Sequence, residues 1–246
     1  TGTDASISEV DIYEDPHLMV RILKIVTTVR RTLRTNPNLL AGTVIIAFML
    51  LIALLTFLPT KELVARYNPQ ELSLIERVES PSSTHWFGTD SLGRDIYSRT
   101  LHGAKTSLRV GAAVAILVTI AGVSLGVLVG YNRVADNIVM RFMDGMMSFP
   151  SLLFALLVLT TLGSNAQNIV ITIGIVFTPR TARVMRVPML ELKGLEFVQS
   201  ARLRGEPKAY VIFREILPNT LPTLAVEASI RLSYSVLLAS SLGFLG

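Results

Sequence analysis

The chain has 246 residues, 50% of them hydrophobic and 17% charged, with a formal net charge of +5 and no cysteine; its mean hydropathy is +0.53. That apolar content is too high for an ordinary soluble domain, and the lack of cysteine removes disulfides, thiolate metal sites and thiol nucleophiles together. His17, His85 and His102 are scattered without metal-ligand spacing, and a positive charge that would hint at nucleic acid in a soluble protein follows topology in a membrane protein.

The first 38 residues are polar and charged, so no secretory signal peptide is read there and the first apolar run is expected to act as signal and anchor. Within residues 1–38, Leu18, Ile22, Ile25, Val29 and Leu33 recur at helical spacing among basic residues. This predicts a basic amphipathic helix lying on the inner membrane surface. A plain basic juxtamembrane linker is the alternative. Crossing a bilayer core takes about 20 helical residues, and uncharged stretches of that order occur at Leu39–Leu58, Gly111–Gly130 and Gly145–Leu162. Asn168–Pro179 is apolar but short, about 18 Å of helix, so it must extend into its flanks. Thr220–Gly246 is long enough and holds one pair of charges, Glu227 and Arg231. The expectation is an all-α polytopic membrane bundle with five spans.

Arginine and lysine mark the cytoplasmic ends of spans. Arg21, Lys24, Arg30, Arg31 and Arg34 precede the first span, and Arg133 lies in the tight turn Tyr131–Asp136. Eight basic residues from Arg180 to Arg214 lie between spans four and five, whereas the turn Gly163–Gln167 has no charge. These place the N-terminus inside, an external loop at 59–103 and a cytoplasmic loop at 180–219. Arg94, Arg99, Lys105 and Arg109 oppose this, but they share a long loop region with Glu62, Glu71, Glu76, Glu79, Asp90 and Asp95, and long loops weigh little in the charge rule.

Gly122, Gly126 and Gly130 recur every four residues in the second span. Such a stripe lets another backbone approach, either within the chain or at a dimer face, with packing within the chain the commoner use. In the loop before that span, Asp90 is positioned to cap a helix beginning at Ser91, with Ile96, Leu101, Ala104 and Leu108 as its apolar stripe. Further on, Leu195, Val198, Ala201 and Arg202 fall on one side of a short helix starting near Gly194 and stopped by Gly205 and Pro207. A second helix follows through Ile212 and Ile216 to Leu217, Pro218 and Asn219. A polar helical hairpin of this length exceeds what a connector needs. It suits docking of a soluble partner.

The string Glu196-Phe-Val-Gln-Ser-Ala-Arg-Leu-Arg-Gly205, followed by Ile216-Leu-Pro-Asn219, resembles the EAA loop of ATP-binding-cassette (ABC) importer permeases. The resemblance implies that Glu196, Phe197, Val198, Gln199, Ser200, Ala201, Arg202 and Gly205, with Leu217 and Pro218, form a coupling element for an ATPase. His85 to Leu108 resembles the hallmark of the C-type permease of dipeptide, oligopeptide and nickel importers, through Gly88, Thr89, Asp90, Gly93, Arg94, Asp95, Ser98, Arg99 and Gly103. Met140–Asp144, Ser148–Pro150 and Ser241–Gly246 are similar to the same group. The resemblance covers about residues 39–246 and implies a type I importer permease working with a second homologous permease, two ATPases that hold ATP and magnesium, an extracytoplasmic solute-binding protein and membrane lipid, with no nucleic acid. It implies a bacterial inner-membrane location and peptides as cargo, with nickel complexes and modified or antimicrobial peptides as alternatives.

Several positions depart from the pattern. Gln199 and Ser200 stand where the triplet has Glu and Ala, Glu215 stands where Ile is usual, and no acidic residue occurs near Ala239. Relatives continue past a Phe-Leu-Gly like Phe244–Gly246 into a sixth span, so a sixth is expected beyond this sequence. No Gly-x-x-x-x-Gly-Lys-Ser/Thr occurs, which assigns nucleotide binding to another chain. An ion-coupled secondary transporter has one foothold, Glu227 and Arg231, as a pathway pair or as a self-neutralising bridge. An intramembrane hydrolase would need a nucleophile or metal that the spans lack, and a purely structural membrane subunit is the last alternative.

Overall fold

The computed structural model describes residues 32, 35–55 and 67–245. The surface helix expected at 18–33 lies outside the described residues, apart from Thr32, as do residues 56–66 and Gly246. The architecture is all-α: α1 (Pro37–Leu55), α2 (Ile96–Tyr131), α3 (Arg133–Met147), α4 (Ser151–Leu162), α5 (Ala166–Leu192), α6 (Glu196–Leu203) and α7 (Lys208–Leu245). Thr89 and Asp95 form an isolated antiparallel bridge in the loop before α2.

Within the described residues each expected span is helical apart from the break at 148–150, but the boundaries differ from those read off the uncharged stretches. Helix α2 starts at Ile96, well before Gly111, so the external loop ends sooner than residue 103. Helix α5 carries the short apolar segment on through Arg180, Arg183 and Arg186 to Leu192. Because α7 begins at Lys208, the expected 180–219 loop contracts to residues 193–207. Gly145–Leu162 is not one straight span: α3 and α4 meet at 95° across Ser148, Phe149 and Pro150. Pro150 has no N–H to continue the ladder and disfavours helical geometry at Phe149. Length and apolarity alone support α2 and α7 as crossings, with the bent pair as a third. Helix α5 is instead accommodated by burial in the bundle.

The glycine stripe sets the packing. A Cβ added at Gly122 would meet Thr181, one at Gly126 would lie 2.8 Å from Met185 Cβ, and one at Gly130 would lie 2.8 Å from Met189 Cβ. Packing within the chain therefore uses the stripe. The two series rise together, so α2 and α5 run parallel and the bent α3–α4 pair must return the chain between them. Helix α7 runs the other way. Ser235 reaches the Gly111 carbonyl near the middle of α2, and Leu217 and Leu224 share the Met185–Met189 cluster with Val123, Val127 and Tyr131 toward the end of α2.

Two apolar clusters result. Val114, Val118, Ala155, Leu159, Ile173, Phe177 and Leu242 fill one end of the bundle, and Met185, Met189, Val198, Ala201, Val211 and Ile216 fill the other. Outward-facing Val44, Ile45 and Ile46 on α1, Ile116 and Ile120 on α2, and Val226 and Leu237 on α7 are exposed. Apolar residues on the outside as well as the inside are what a lipid solvent permits.

Candidate functional site: the hairpin, the capping loop and the mid-bundle pair

The hairpin between α5 and α7 is built on two side chains. Val198 and Ala201 are fully buried and join the cluster of Met185, Met189, Val211 and Ile216. Glu196, Phe197, Gln199, Ser200, Arg202 and Gly205 are on the exposed side, with Phe197 36% exposed. Leu195, expected on the buried side, caps the helix start and is 46% exposed. Arg202, also expected there, lies over the Tyr131 ring at 6.0 Å from its centre. Gly205 has φ +80°, and the Glu206 N–H donates to the Ala201 carbonyl at 3.2 Å. This is the left-handed helix stop anticipated from Gly205.

Two departures from the family pattern have local partners. Gln199 donates from Nε2 to the Gly194 carbonyl at 2.9 Å, bracing the helix entry. Glu215 stands 3.8 Å from Arg204 across the hairpin. Glu196 makes no ion pair among the described residues and points its charge outward. The chain then passes through a π-helical turn, Val211–Ile216, whose register lets the Leu217 N–H donate to the Ile212 carbonyl. Pro218, which cannot donate to Arg214, follows directly, and the wider turn avoids the ring's clash with the preceding carbonyl. Leu217 is half-buried in the cluster and Pro218 is exposed. At the junction with the bundle, Lys193 donates to the Gly130 carbonyl at 3.0 Å and sits 5.1 Å from the Tyr131 ring centre.

The family hallmark folds as a cap at the other end of α2. Asp95, not Asp90, is the helix N-cap: it accepts from the Ser98 N–H at 2.7 Å and contacts His85 Nδ1 at 2.9 Å. Asp90 closes the preceding turn, accepting from the Leu92 and Arg94 N–H groups at 2.9 and 3.0 Å and from Arg94 Nε at 2.8 Å, with Arg99 Nε 3.8 Å away. Local sequence fits either aspartate as cap. The buried His85 decides, because it holds Asp95 where α2 begins. Burial acts to raise the Asp95 pKa, but the Ser98 N–H and His85 outweigh it and hold the carboxyl below the ordinary range. Asp90 is likewise held low, burial being outweighed by the Arg94 and Leu92 N–H groups and the Arg94 guanidinium.

Gly88 and Gly93 adopt φ +72° and +74° against the backbone of Glu79 and Ser73, where no side chain fits. Thr89 accepts from the Glu79 N–H at 2.9 Å and donates to the Glu76 carbonyl. Ser98 is fully buried and accepts from the Tyr67 N–H at 3.4 Å. Gly103 faces open space. Trp86 and Phe87 pack on Tyr97, with ring centres 4.9 and 5.3 Å apart.

Glu227 and Arg231 lie halfway along α7, between the two apolar clusters, only 4% and 5% exposed. They form an ion pair at 2.8 Å. The Arg231 Nε–H is not aimed at the carboxylate and has no aligned acceptor, so the contact is Coulombic rather than a well-formed hydrogen bond. Glu227 also accepts from the Thr181 hydroxyl at 2.9 Å, and the Arg231 guanidinium lies 5.3 Å from the Phe177 ring centre and 5.8 Å from that of Tyr234. Sequence reasoning missed Thr181, a neutral residue near a proline in α5, and two further interhelical bridges. Arg186 grips Asp136 through two bonds of 2.5 Å, and Arg183 pairs with Asp144. Arg183 and Arg186 in one apolar segment, with Asp136 and Asp144 eight residues apart in another, were the available signal.

Long apolar helices around a charged mid-bundle pair, closed at one end by a polar hairpin, define a polytopic membrane transport subunit. Residues 107–246 match the binding-protein-dependent transport system inner membrane component family. The chain is 37% identical over 217 residues to the dipeptide transport system permease protein DppC of Alkalihalophilus pseudofirmus, covering 88% of this chain and 70% of that one. It is 37% identical over 219 residues to the glutathione transport system permease protein GsiD of Pectobacterium atrosepticum, covering 88% and 71%. Against the probable D,D-dipeptide transport system permease protein DdpC of Escherichia coli it is 37% identical over 215 residues, covering 87% and 70%. The chain therefore belongs to the family of binding-protein-dependent transport system inner membrane components.

Proposed function

We propose that this chain is the permease of an ABC importer for peptides or related small solutes, forming half of the translocation path beside a second homologous permease. Two ATPase subunits, which hold ATP and magnesium, drive it, and an extracytoplasmic binding protein delivers the cargo. It is a transport subunit, not an enzyme. The N-terminus and the hairpin face the cytoplasm of a bacterial inner membrane, and the loop of residues 67–95 faces outward.

The observation that carries this reading is the division of α6 into two faces. Val198 and Ala201 fasten the helix to α5 and α7, while Phe197, Gln199 and Ser200 are offered to a partner with Glu196 and Arg202 at the flanks. A push on that face moves α5 and α7 as packed bodies, the shear or rigid-body motion expected of an alternating-access switch. The Glu227–Arg231 pair fits the same role. Neutralised within α7, it does not offer the lone titrating carboxylate that a proton-coupled carrier requires.

The test is gentle detergent purification of the tagged chain from its native membrane, with identification of the associated proteins. An ATP-binding-cassette ATPase and a second permease are expected. Recovery of neither ends the reading. Phe197→Asp should reduce ATPase recovery and uptake together without unfolding the bundle, because Phe197 lies on the outer face of α6.

A further inference from the structure

Halfway along the bundle, a cavity of about 310 Å³ opens between α4, α5 and α7, with Ser151, Phe177, Arg180, Arg231, Tyr234 and Ser241 in its walls. Its volume is at the lower end of the roughly 300–1,000 Å³ of small-molecule sites. Neither the hairpin nor the hallmark loop touches it.

The charges around it do not cancel. Of the three arginines on α5, Arg183 and Arg186 are closed by Asp144 and Asp136 of α3. Arg231 is closed by Glu227 and held between two aromatic rings. Arg180 makes no ion pair with any described carboxylate, and it is exposed to the cavity. The cavity therefore carries one surplus positive charge, flanked by the hydroxyls of Ser151 and Tyr234, while the Ser241 hydroxyl is spent on the Leu237 carbonyl at 3.0 Å. A cation kept unneutralised at mid-span is costly unless water or a passing anion meets it, and a guanidinium beside hydroxyl donors suits a planar oxyanion.

We infer that this cavity is an oxyanion subsite on the translocation path, where Arg180 receives the C-terminal carboxylate of the peptide in transit while Arg231 stays neutralised by Glu227. The inference rests on the peptide-import reading above. One surplus charge suits a transient stop. It orients the cargo by its carboxyl end, and an open, partly solvated site releases it again. A phospholipid phosphate has the same chemistry, so lipid is the competing source of the anion.

The experiment uses the complete transporter with its ATPases and binding protein in vesicles. Import of a mixed library of short peptides with free C-termini is compared with import of the same library as C-terminal amides, in the native chain and in Arg180→Gln. The binding protein's own preference enters both transporters equally and cancels in the ratio. Arg180→Gln should lower import of the free acids about 10-fold or more, the scale of one hydrogen bond to a charged group, and leave the amides within about twofold. Arg180→Lys should restore most of the loss.

Equal losses for acids and amides, or no loss, would overturn the subsite. So would reduced recovery of the second permease with Arg180→Gln, which would make Arg180 an assembly contact. If the acid-specific loss appears in vesicles containing phosphatidylglycerol and vanishes in pure phosphatidylcholine, whose phosphate is balanced by its own choline, the anion belongs to an acidic lipid head group and the peptide assignment fails. If the native transporter imports no member of either library, the peptide reading itself falls, an outcome distinct from an Arg180 failure in a working importer.

Discussion

The loop before α2 and the hairpin before α7 sit at opposite ends of the same bundle and are held by opposite chemistries. The loop is fastened by directional polar contacts: Asp95 to Ser98 and His85, Asp90 to Arg94, Thr89 to the Glu79 and Glu76 backbone, and two glycines in left-handed conformations. The hairpin is fastened by two small apolar side chains, Val198 and Ala201, in a nonpolar cluster. Directional bonds hold one geometry and give way together. Apolar contact is less directional and can move with the helices beneath it, which suits a part that receives motion.

Four experiments probe that contrast. The largest effect is expected at Ala201→Asp, which places an unpaired carboxylate in the cluster of Met185, Met189 and Ile216. Burying an unpaired charge costs several kcal/mol or forces the helix out, so α6 should detach and detergent-solubilised protein should lose thermal stability and ATPase association together. Normal stability would show that the apolar anchor is not what holds the hairpin.

Next comes Asp95→Ala, which removes the α2 cap and strands His85. Loss of a cap costs about 0.5–2 kcal/mol, and a buried group left without its partner about 1–3 kcal/mol. The single tryptophan, Trp86, packs on Tyr97 in this loop, so its fluorescence reports the change locally. A shift in that signal with unchanged ATPase association is the expected result.

The pH dependence of the same signal is a milder version of that variant. The folded pKa values of Asp90 and Asp95 are depressed. Their contribution is therefore fully present above the unfolded value near 4 and is lost as pH falls through the folded values. Trp86 fluorescence should change on acidification below about pH 4, and Asp95→Asn should diminish the transition. A transition of the same size in that variant would remove the aspartate from the account.

The smallest effect is expected at Arg204→Ala. The 3.8 Å contact with Glu215 is solvent-facing, with the Arg204 side chain 55% exposed, and such pairs contribute at most about 1 kcal/mol. Thermal stability should barely move. A loss comparable to that of Asp95→Ala would mean that polar contacts matter as much in the hairpin as in the capping loop.

How legible each region was follows from the range of the forces involved. The hairpin was readable because its punctuation is local: Gly205 followed by Pro207 is a helix-stop signal within three residues, and Val198 and Ala201 recur at helical spacing. The capping loop was half readable. A capping aspartate before an apolar helical stripe is legible, and Asp90 is the one the sequence points to, yet Asp95 suits an N-cap equally and the choice falls to His85, ten residues from Asp95. The arginines of α5 were read as loop charges because no local signal says that Asp136 and Asp144 wait on another helix. The pairing at mid-bundle was visible within α7, while Thr181 and Arg180 were not.

The sequence by itself determined the all-α membrane class, the glycine stripe and the hairpin, because apolar length, residue spacing and helix-breaking residues act over a few turns of chain. Only the tertiary structure decided that α3 and α4 bend at Pro150, that α5 runs on through its arginines, and which carboxylate each arginine meets. Those outcomes depend on where α2, α3, α5 and α7 lie against one another. In a low-dielectric interior a charge is tolerable only where a partner arrives, and for α5 the partners come from α3 and, at Arg180, from whatever passes through the cavity.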